Sequence, residues 1–433
     1  MPADPLLRAD EITRRHFLSG AARTLLGVHL APMLGPTIAD AATQASPKAK
    51  AKHVIYLFMD GGMSHVDTFD PKPTRREVMG PTNAIPTNAD GILVGHYLPE
   101  TAKVMDRVCV INSMNSTQGA HEQGSYIMHT SYALRGTIEH PSLGSWVLKT
   151  TGRIHKDLPG YVAIDSSPET TGAGFFGSKY AAAPIGSPRE GLKDSRRHPQ
   201  VTKQDFDRRL SLADKLNRNF HKRLQSTPVK EYEELYREAV SLMNSKDLAA
   251  FDISQEPAAT RALYGEGRFA QGCLLARRLV EHGVRFVEVQ LGGWDTHYDN
   301  FTGVAGRCAE FDKAYAALIT DLAKSGKLAE TLVVVATEFG RTPEINPDHQ
   351  QGRDHHPSAF TCLLAGGGVK GGYKHGSTDS KGMRVRKDPV TVQDFNATIA
   401  HALGIHTGQI VMSPSRRPFR IADTGKPVLG VFA

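Results

Sequence analysis

No two of the four cysteines in this 433-residue chain stand in a Cys-x-x-Cys pair. Cys109, Cys273, Cys308 and Cys362 each lie alone within an apolar segment. That spacing excludes a paired-thiol motif. Four thiols would allow one or two disulfides in an oxidising compartment, but buried free cysteine is the expected state for most of them. The chain also lacks a basic run with interleaved aromatics, so nucleic acid is not an expected partner. This holds despite a net charge of +7 and an isoelectric point near 9.1, a balance that favours anionic partners only weakly. Gly61-Gly62 is followed by no Gly-x-Gly-x-x-Gly fingerprint and no suitably placed acidic residue, which argues against a nucleotide-binding oxidoreductase. Internal repeats and long low-complexity tracts are absent as well.

What is present begins with a leader. Thr13-Arg14-Arg15-His16-Phe17-Leu18 opens a modestly apolar stretch that runs to Ala39-Asp40-Ala41. Paired arginines, a short apolar core and a small-x-small cleavage site read as a twin-arginine export signal over residues 1–41. Gly, Arg and Pro interrupt the stretch, so no stable membrane span is expected in the mature form. The expectations are a periplasmic or extracellular protein, the twin-arginine translocase as partner during export, and passage in the folded state with any metal already loaded. Four basic and four acidic residues in the leader cancel, so the mature chain keeps the same net charge.

A Lys/Ala/Pro linker occupies 42–52, and one domain with an insertion is expected over 53–433. HVIYLFM (53–59) reads as a buried strand ending at Asp60, and LPETAKVMDR (98–107) as a helix leading into the strand CVINSM. A helix is expected across 121–133, and a charged, Leu-punctuated, Gly-poor helical insertion at about 190–250. VRFVEVQL (284–291) is the next strand. Apolar residues at 308, 311, 315, 318, 319 and 322 then mark one face of a helix. VVVATE runs to Glu338, FTCLLAGG follows the pair His355-His356, and PVTVQDFNATIAHALGI closes as an N-capped helix. Strands alternating with helices predict an α/β three-layer sandwich with a mostly parallel sheet.

Open α/β sheets place ligands at the carboxyl ends of their strands. Four such ends carry polar groups here: Asp60; the loop 115–122 with Thr117 and His121; Asp295 with His297; and Glu338 with Arg341, followed by Arg353, Asp354, His355 and His356. Carboxylates and imidazoles from separate strand tips are the material of a site for one or two divalent ions, with Zn, Mn, Ca and Mg all open. Arginine at such a place can hold a tetrahedral anion. Each residue also has a plainer use: Asp60 as a turn cap, Glu338 as a bridge to Arg341 or Arg353, Thr117 as an ordinary loop residue, and either histidine as a buried imidazole bonded to Asp354.

The ordered set Asp60, Asp295/His297, Glu338, His355 resembles the alkaline-phosphatase-like superfamily of phosphatases, sulfatases and cofactor-independent phosphoglycerate mutases. FMDGGMSHVDTFDPKP, HEQGSYIMHTSYALRG, IEHPSLGSW, LLARRLVEHGVRFVEV, GGWDTHYDNF, TEFGRTPEIN and GRDHHP resemble, more closely, a large exported bacterial family known as a domain of unknown function. The resemblance spans roughly 53–405. It implies an alkaline-phosphatase-like fold with Asp60 and Glu338 on one ion and Asp295, His297 and His355 on the other, His356 being the substitute for His355. It further implies Thr117 as nucleophile, with His121, Arg341 and Arg353 stabilising the anion; an alternative alignment places His121 itself in the nucleophile slot. Two departures stand out. Phe339 occupies a position where the superfamily has His or Asn, and a single residue separates Asp295 from His297 where the usual gap is longer. No Cys-x-Pro-x-Arg or Ser-x-Pro-x-Arg sequence occurs in the loop, which argues against formylglycine chemistry. The expected function is metal-dependent hydrolysis of phosphate or sulfate esters, with an anionic small molecule or glycan ester as substrate. The rival is a non-catalytic exported binding or assembly protein on the same fold with a degraded metal site.

Overall fold

The run from His53 to Met59 is rich in β-branched and aromatic side chains, and it forms a strand with all seven residues buried. A strand buried on both faces belongs at the centre of a covered sheet, and that is where the computed structural model places it. Residues 47–433 are described, apart from 194, 196, 225 and 226 and the side chains of 221–235. The leader read at 1–41 and the linker residues 42–46 lie outside the described residues.

Among the described residues, nine strands make the main sheet: β1 (His53–Met59), β2 (Val108–Asn115), β3 (Tyr161–Ile164), β4 (Ala183–Ile185), β5 (Phe286–Leu291), β6 (Thr331–Ala336), β7 (Phe360–Gly366), β8 (Tyr373–His375) and β9 (Val390–Thr391). Their order is β8-β2-β7-β6-β1-β5-β3-β4, with β9 also on β2. β1 runs parallel to both neighbours, pairing Tyr56 with Glu288 on β5 and with Val334 on β6. β7 alone is antiparallel to its neighbours β6 and β2. No α-helix lies between β6 and β7, and a parallel return would require a long crossover.

Alternate residues of β1 face two separate cores. Ile55, Leu57 and Met59 join α5 (Arg268–Glu281) and α6 (Asn300–Lys324) on one face. Val54, Tyr56 and Phe58 join α1 (His121–Thr130), α2 (Leu143–Thr151) and α7 (Val392–Ala402) on the other. The result is a three-layer α/β sandwich. All six residues expected on the inner face of α6 (Cys308, Phe311, Tyr315, Leu318, Ile319 and Leu322) are fully buried. α7 begins at a capping box formed by Thr391 and Asp394. The four cysteines are buried and free. Between β4 and β5, the segments Lys203–Leu224 and Thr227–Asn244 are helical. No helix among the described residues is long and apolar enough to cross a membrane.

One expected element differs. Residues 98–107 form two short 3-10 turns, Thr101–Lys103 and Met105–Arg107, rather than a helix. The Asp312 carboxylate on α6 accepts the backbone N–H groups of Glu100 and Thr101 at 2.9 and 2.6 Å. Val104, at φ −121° and ψ 5°, breaks the helical geometry between the turns.

Candidate metal centre

Four segments meet at the carboxyl ends of the parallel strands. β1 stops at Asp60, and Gly61 follows at φ +113°, where a Cβ would strike the backbone of Trp294 and Asp295. Beyond β5 the chain continues to Asp295 and His297; beyond β6 it reaches Glu338; and the loop after β2 delivers His121 as the first residue of α1. The segment 351–356 closes over them. Its Arg353 N–H bonds to the Thr296 carbonyl at 3.0 Å, and His355 and His356 pair antiparallel with Arg341 and Gly340. Gly352 is pressed against the His297 carbonyl with no room for a side chain.

Three imidazoles share one arrangement. His121 Nδ1 lies 2.8 Å from Glu338 Oε1, His297 Nδ1 lies 2.8 Å from Asp354 Oδ1, and His355 Nδ1 lies 2.7 Å from the Gly119 carbonyl. Each acceptor is an oxygen with no proton to give, so each neutral ring carries its hydrogen on Nδ1 and turns a lone pair outward at Nε2. All three Nε2 atoms converge on one oxygen. They lie 3.4, 3.4 and 3.6 Å from Asp295 Oδ1 for His121, His297 and His355. His121 Nε2 is buried without a hydrogen-bond partner, and His297 and His355 bring their Nε2 atoms to 2.9 Å. Lone pairs so disposed repel unless a cation or proton lies among them. One ligand atom each from His121, Asp295 and His355 falls within 4.8 Å of the others. Metal-binding histidines characteristically hold their other nitrogen against a carboxylate or carbonyl, and the donor set therefore fits a divalent ion.

The electrostatics agree. The hydrogen bond to Glu338 raises the pKa of His121. Burial would raise the Asp295 carboxyl, but Arg341 and the neighbouring imidazoles outweigh it and hold the group below its ordinary value. Burial, and after it the Glu338 charge, push Asp60 upward. Asp60 accepts the Gln290 amide at 2.9 Å.

Several expected roles change. Glu338 is fully buried, with Oε1 accepting Gly61 N–H and His121, and Oε2 accepting the Thr337 hydroxyl. It stands behind His121 rather than at the open face. Phe339 packs against His121 and His355, with ring centroids 5.1 and 4.5 Å away. Among the described residues, Asp60 belongs to no group of three potential ligands, whereas His121, Asp295 and His355 form one.

Arg353, expected to stabilise the anion, has no N–H group free to do so. It is fully buried, and all five of its N–H groups are engaged: two on Asp67, the others on the carbonyls of Thr342, Pro343 and Val78. Arg341 is buried too. It clamps Asp295 and bonds to the carbonyls of Gly61, Gly62 and Arg353, which makes it a positioning residue. His356 points elsewhere, donating Nε2–H to the Met383 carbonyl at 2.8 Å beside a stacked His65. Thr117 is exposed, bonded through its hydroxyl to Gln118.

Beside the cluster opens a cavity of about 590 Å³, lined in part by Asp60, His121 and Ser125. Ser125, one helical turn beyond His121 on α1, escaped the sequence reading. The i, i+4 spacing from His121 is the signal that could have found it.

The chain belongs to the DUF1501 family, described as a protein of unknown function, whose profile matches residues 51–432. No curated protein matches it. Among solved structures it is similar to the lipoteichoic acid synthase LtaP from Listeria monocytogenes, at 10% identity over 86% of this chain and 78% of that one, with a TM-score of 0.36. It is similar also to the phosphonate monoester hydrolase SpPMH from Silicibacter pomeroyi (11%, 87% and 76%, TM-score 0.37). The C-terminal periplasmic domain of EptC from Escherichia coli, in complex with Zn, is a third (10%, 88% and 90%, TM-score 0.37).

Proposed function

We propose that this protein is an exported, metal-dependent hydrolase of phosphate or sulfate esters. The observation that carries the reading is the convergence of three Nε2 lone pairs on Asp295 Oδ1, beside an open cavity that His121 lines. His121, Asp295 and His355 would hold the ion, with His297 beside them. A divalent ion there supplies positive charge to the ester's oxygens.

The chain's own groups do the rest. Glu338, Asp354 and the Gly119 carbonyl fix the tautomers of the three imidazoles. Arg341 fixes Asp295, whose side chain is about half exposed and so reaches solvent. Asp60, bonded through Oδ2 to Gln290, keeps Oδ1 to take a proton from the attacking group or return it to the leaving alcohol; its upward shift suits that exchange. The second reading, a binding protein with a degraded site, is favoured by Phe339 against the cluster.

Elemental analysis of the purified protein tests the proposal. About one equivalent of a divalent metal is expected, lost in His355→Ala and in Asp295→Ala, together with turnover of a panel of phosphate and sulfate esters. Metal without turnover favours the binding reading; unchanged metal in both variants removes these residues from the site. Export is tested separately. Arg14→Lys with Arg15→Lys should leave the precursor in the cytoplasm, and normal secretion of that variant overturns the leader assignment.

A further inference from the structure

The cavity beside the metal centre has the wrong charge for a simple anion. Asp60 lies at its inner end, and Glu122, Glu139 and Glu169 stand at its exposed rim. Among the described residues no lysine or arginine lines it, and none of the three glutamates is in an ion pair. Phe58 and Tyr126 lie in its wall with their rings almost wholly covered by protein. The Tyr126 hydroxyl and His140 Nδ1 share a hydrogen bond of 2.9 Å. Burial, then nearby Arg135, pushes His140 down to about 4, so this wall carries no charge at neutral pH. A further sign of a ligand is Ser125. The residue is only 8% exposed and lines the cavity, and its hydroxyl has no hydrogen-bond partner among the described residues.

We propose that this cavity is a subsite for an ammonium group, primary or quaternary, carried by the substrate. Carboxylates around the recess attract an organic cation through charge and reject an anion of the same size. A volume of about 590 Å³ suits an amino-alcohol headgroup or an amino sugar. The Ser125 hydroxyl supplies a hydrogen bond to the ligand's oxygen. Resting on the hydrolase reading, the substrate class becomes an ester of an amino alcohol or amino sugar, with its anionic end at the metal centre and its cationic end in this cavity.

The test is calorimetric titration of the metal-loaded full chain with choline and with 3,3-dimethylbutan-1-ol, its uncharged isostere. Choline should bind at least about tenfold tighter. Glu139→Gln with Glu169→Gln should weaken choline about tenfold while metal content stays constant. Equal affinity for the isostere, no binding of choline, or unchanged affinity in the double variant overturns the proposal. His355→Ala separates the two readings. Choline binding retained there, with no ester turned over by the wild-type protein, sinks the hydrolase assignment and leaves the ammonium subsite standing. Vesicles of phosphatidylcholine and soluble phosphocholine form the last comparison. Capture of the first supports a lipid headgroup as the source of the cation, and binding of only the second supports a free ester.

Discussion

Asp67 and Arg353 form a contact that no local pattern in the chain foretells. They lie 286 positions apart, both fully buried. Asp67 also accepts the hydroxyls of Ser64 and Thr82 and the amide of Asn300. Removing one partner of a buried pair leaves the other charge uncompensated, at a cost of about 3–5 kcal/mol. Arg353→Ala should therefore lower the unfolding free energy by about that amount, read as a shift in the denaturant midpoint. A midpoint within error of wild type would return Arg353 to the pool of substrate-binding candidates. At this scale the sequence was legible in part. Asp295 stands out because a polar residue that follows a buried strand reaches the ligand end of the sheet, and His355 because it lies in a run of four polar residues just before β7. The ligand role proposed for His121 was hidden, because what exposes its Nε2 is the bond from Nδ1 to Glu338, 217 positions away. Arg341 and Arg353 misled for the same reason, since only tertiary packing shows that their donors are taken.

The elements that position the site are short loops tied to one another. Gly352 lets the segment 351–356 lie on the His297 carbonyl, and Arg353 N–H bonds to Thr296 beside it. A methyl group at 352 would push the two loops apart and separate His355 from Asp295 and His297. Gly352→Ala should weaken metal binding at least about tenfold, as loss of ligand support does elsewhere. Competition with a chelating dye measures this, and undiminished affinity would show that the loops tolerate the separation. Strands and long helices were read well because periodicity and burial agree in them, as along the buried face of α6. The segment 98–107 was misread because its helical pattern gives way to Asp312, a cap supplied by a distant helix. The reversal of β7 shows only as a missing crossover helix.

On the scale of the whole molecule, buried neutral imidazoles make stability depend on pH. Burial lowers His53, His65, His375 and His401, and takes His140 to about 4. In the unfolded chain these groups titrate near 6.5. Between about 6.5 and the lowered folded values the unfolded state binds more protons, so stability falls as pH falls through that window. His129 opposes the trend. Burial lowers it, but the Glu288 carboxylate outweighs that and leaves it raised; His121, raised by its hydrogen bond to Glu338, opposes the trend as well, so two groups stand against five. The melting temperature of chelator-treated protein should be lower at pH 5 than at pH 7.5, and the His140→Asn variant should show a smaller drop. A melting temperature that is flat or rises on acidification would contradict this sign.

The acidic cavity sits in a molecule whose net charge is +7. At a distance an organic cation meets the sign of the whole protein and is turned away. Within a few ångströms it meets the carboxylates. Salt shortens the reach of the first field to about 8 Å at physiological strength. The rate of capture should therefore climb as salt is first added, while the lifetime of the complex shortens. This is the reverse of the usual kinetic signature of an electrostatically steered encounter, and stopped-flow traces would reveal it.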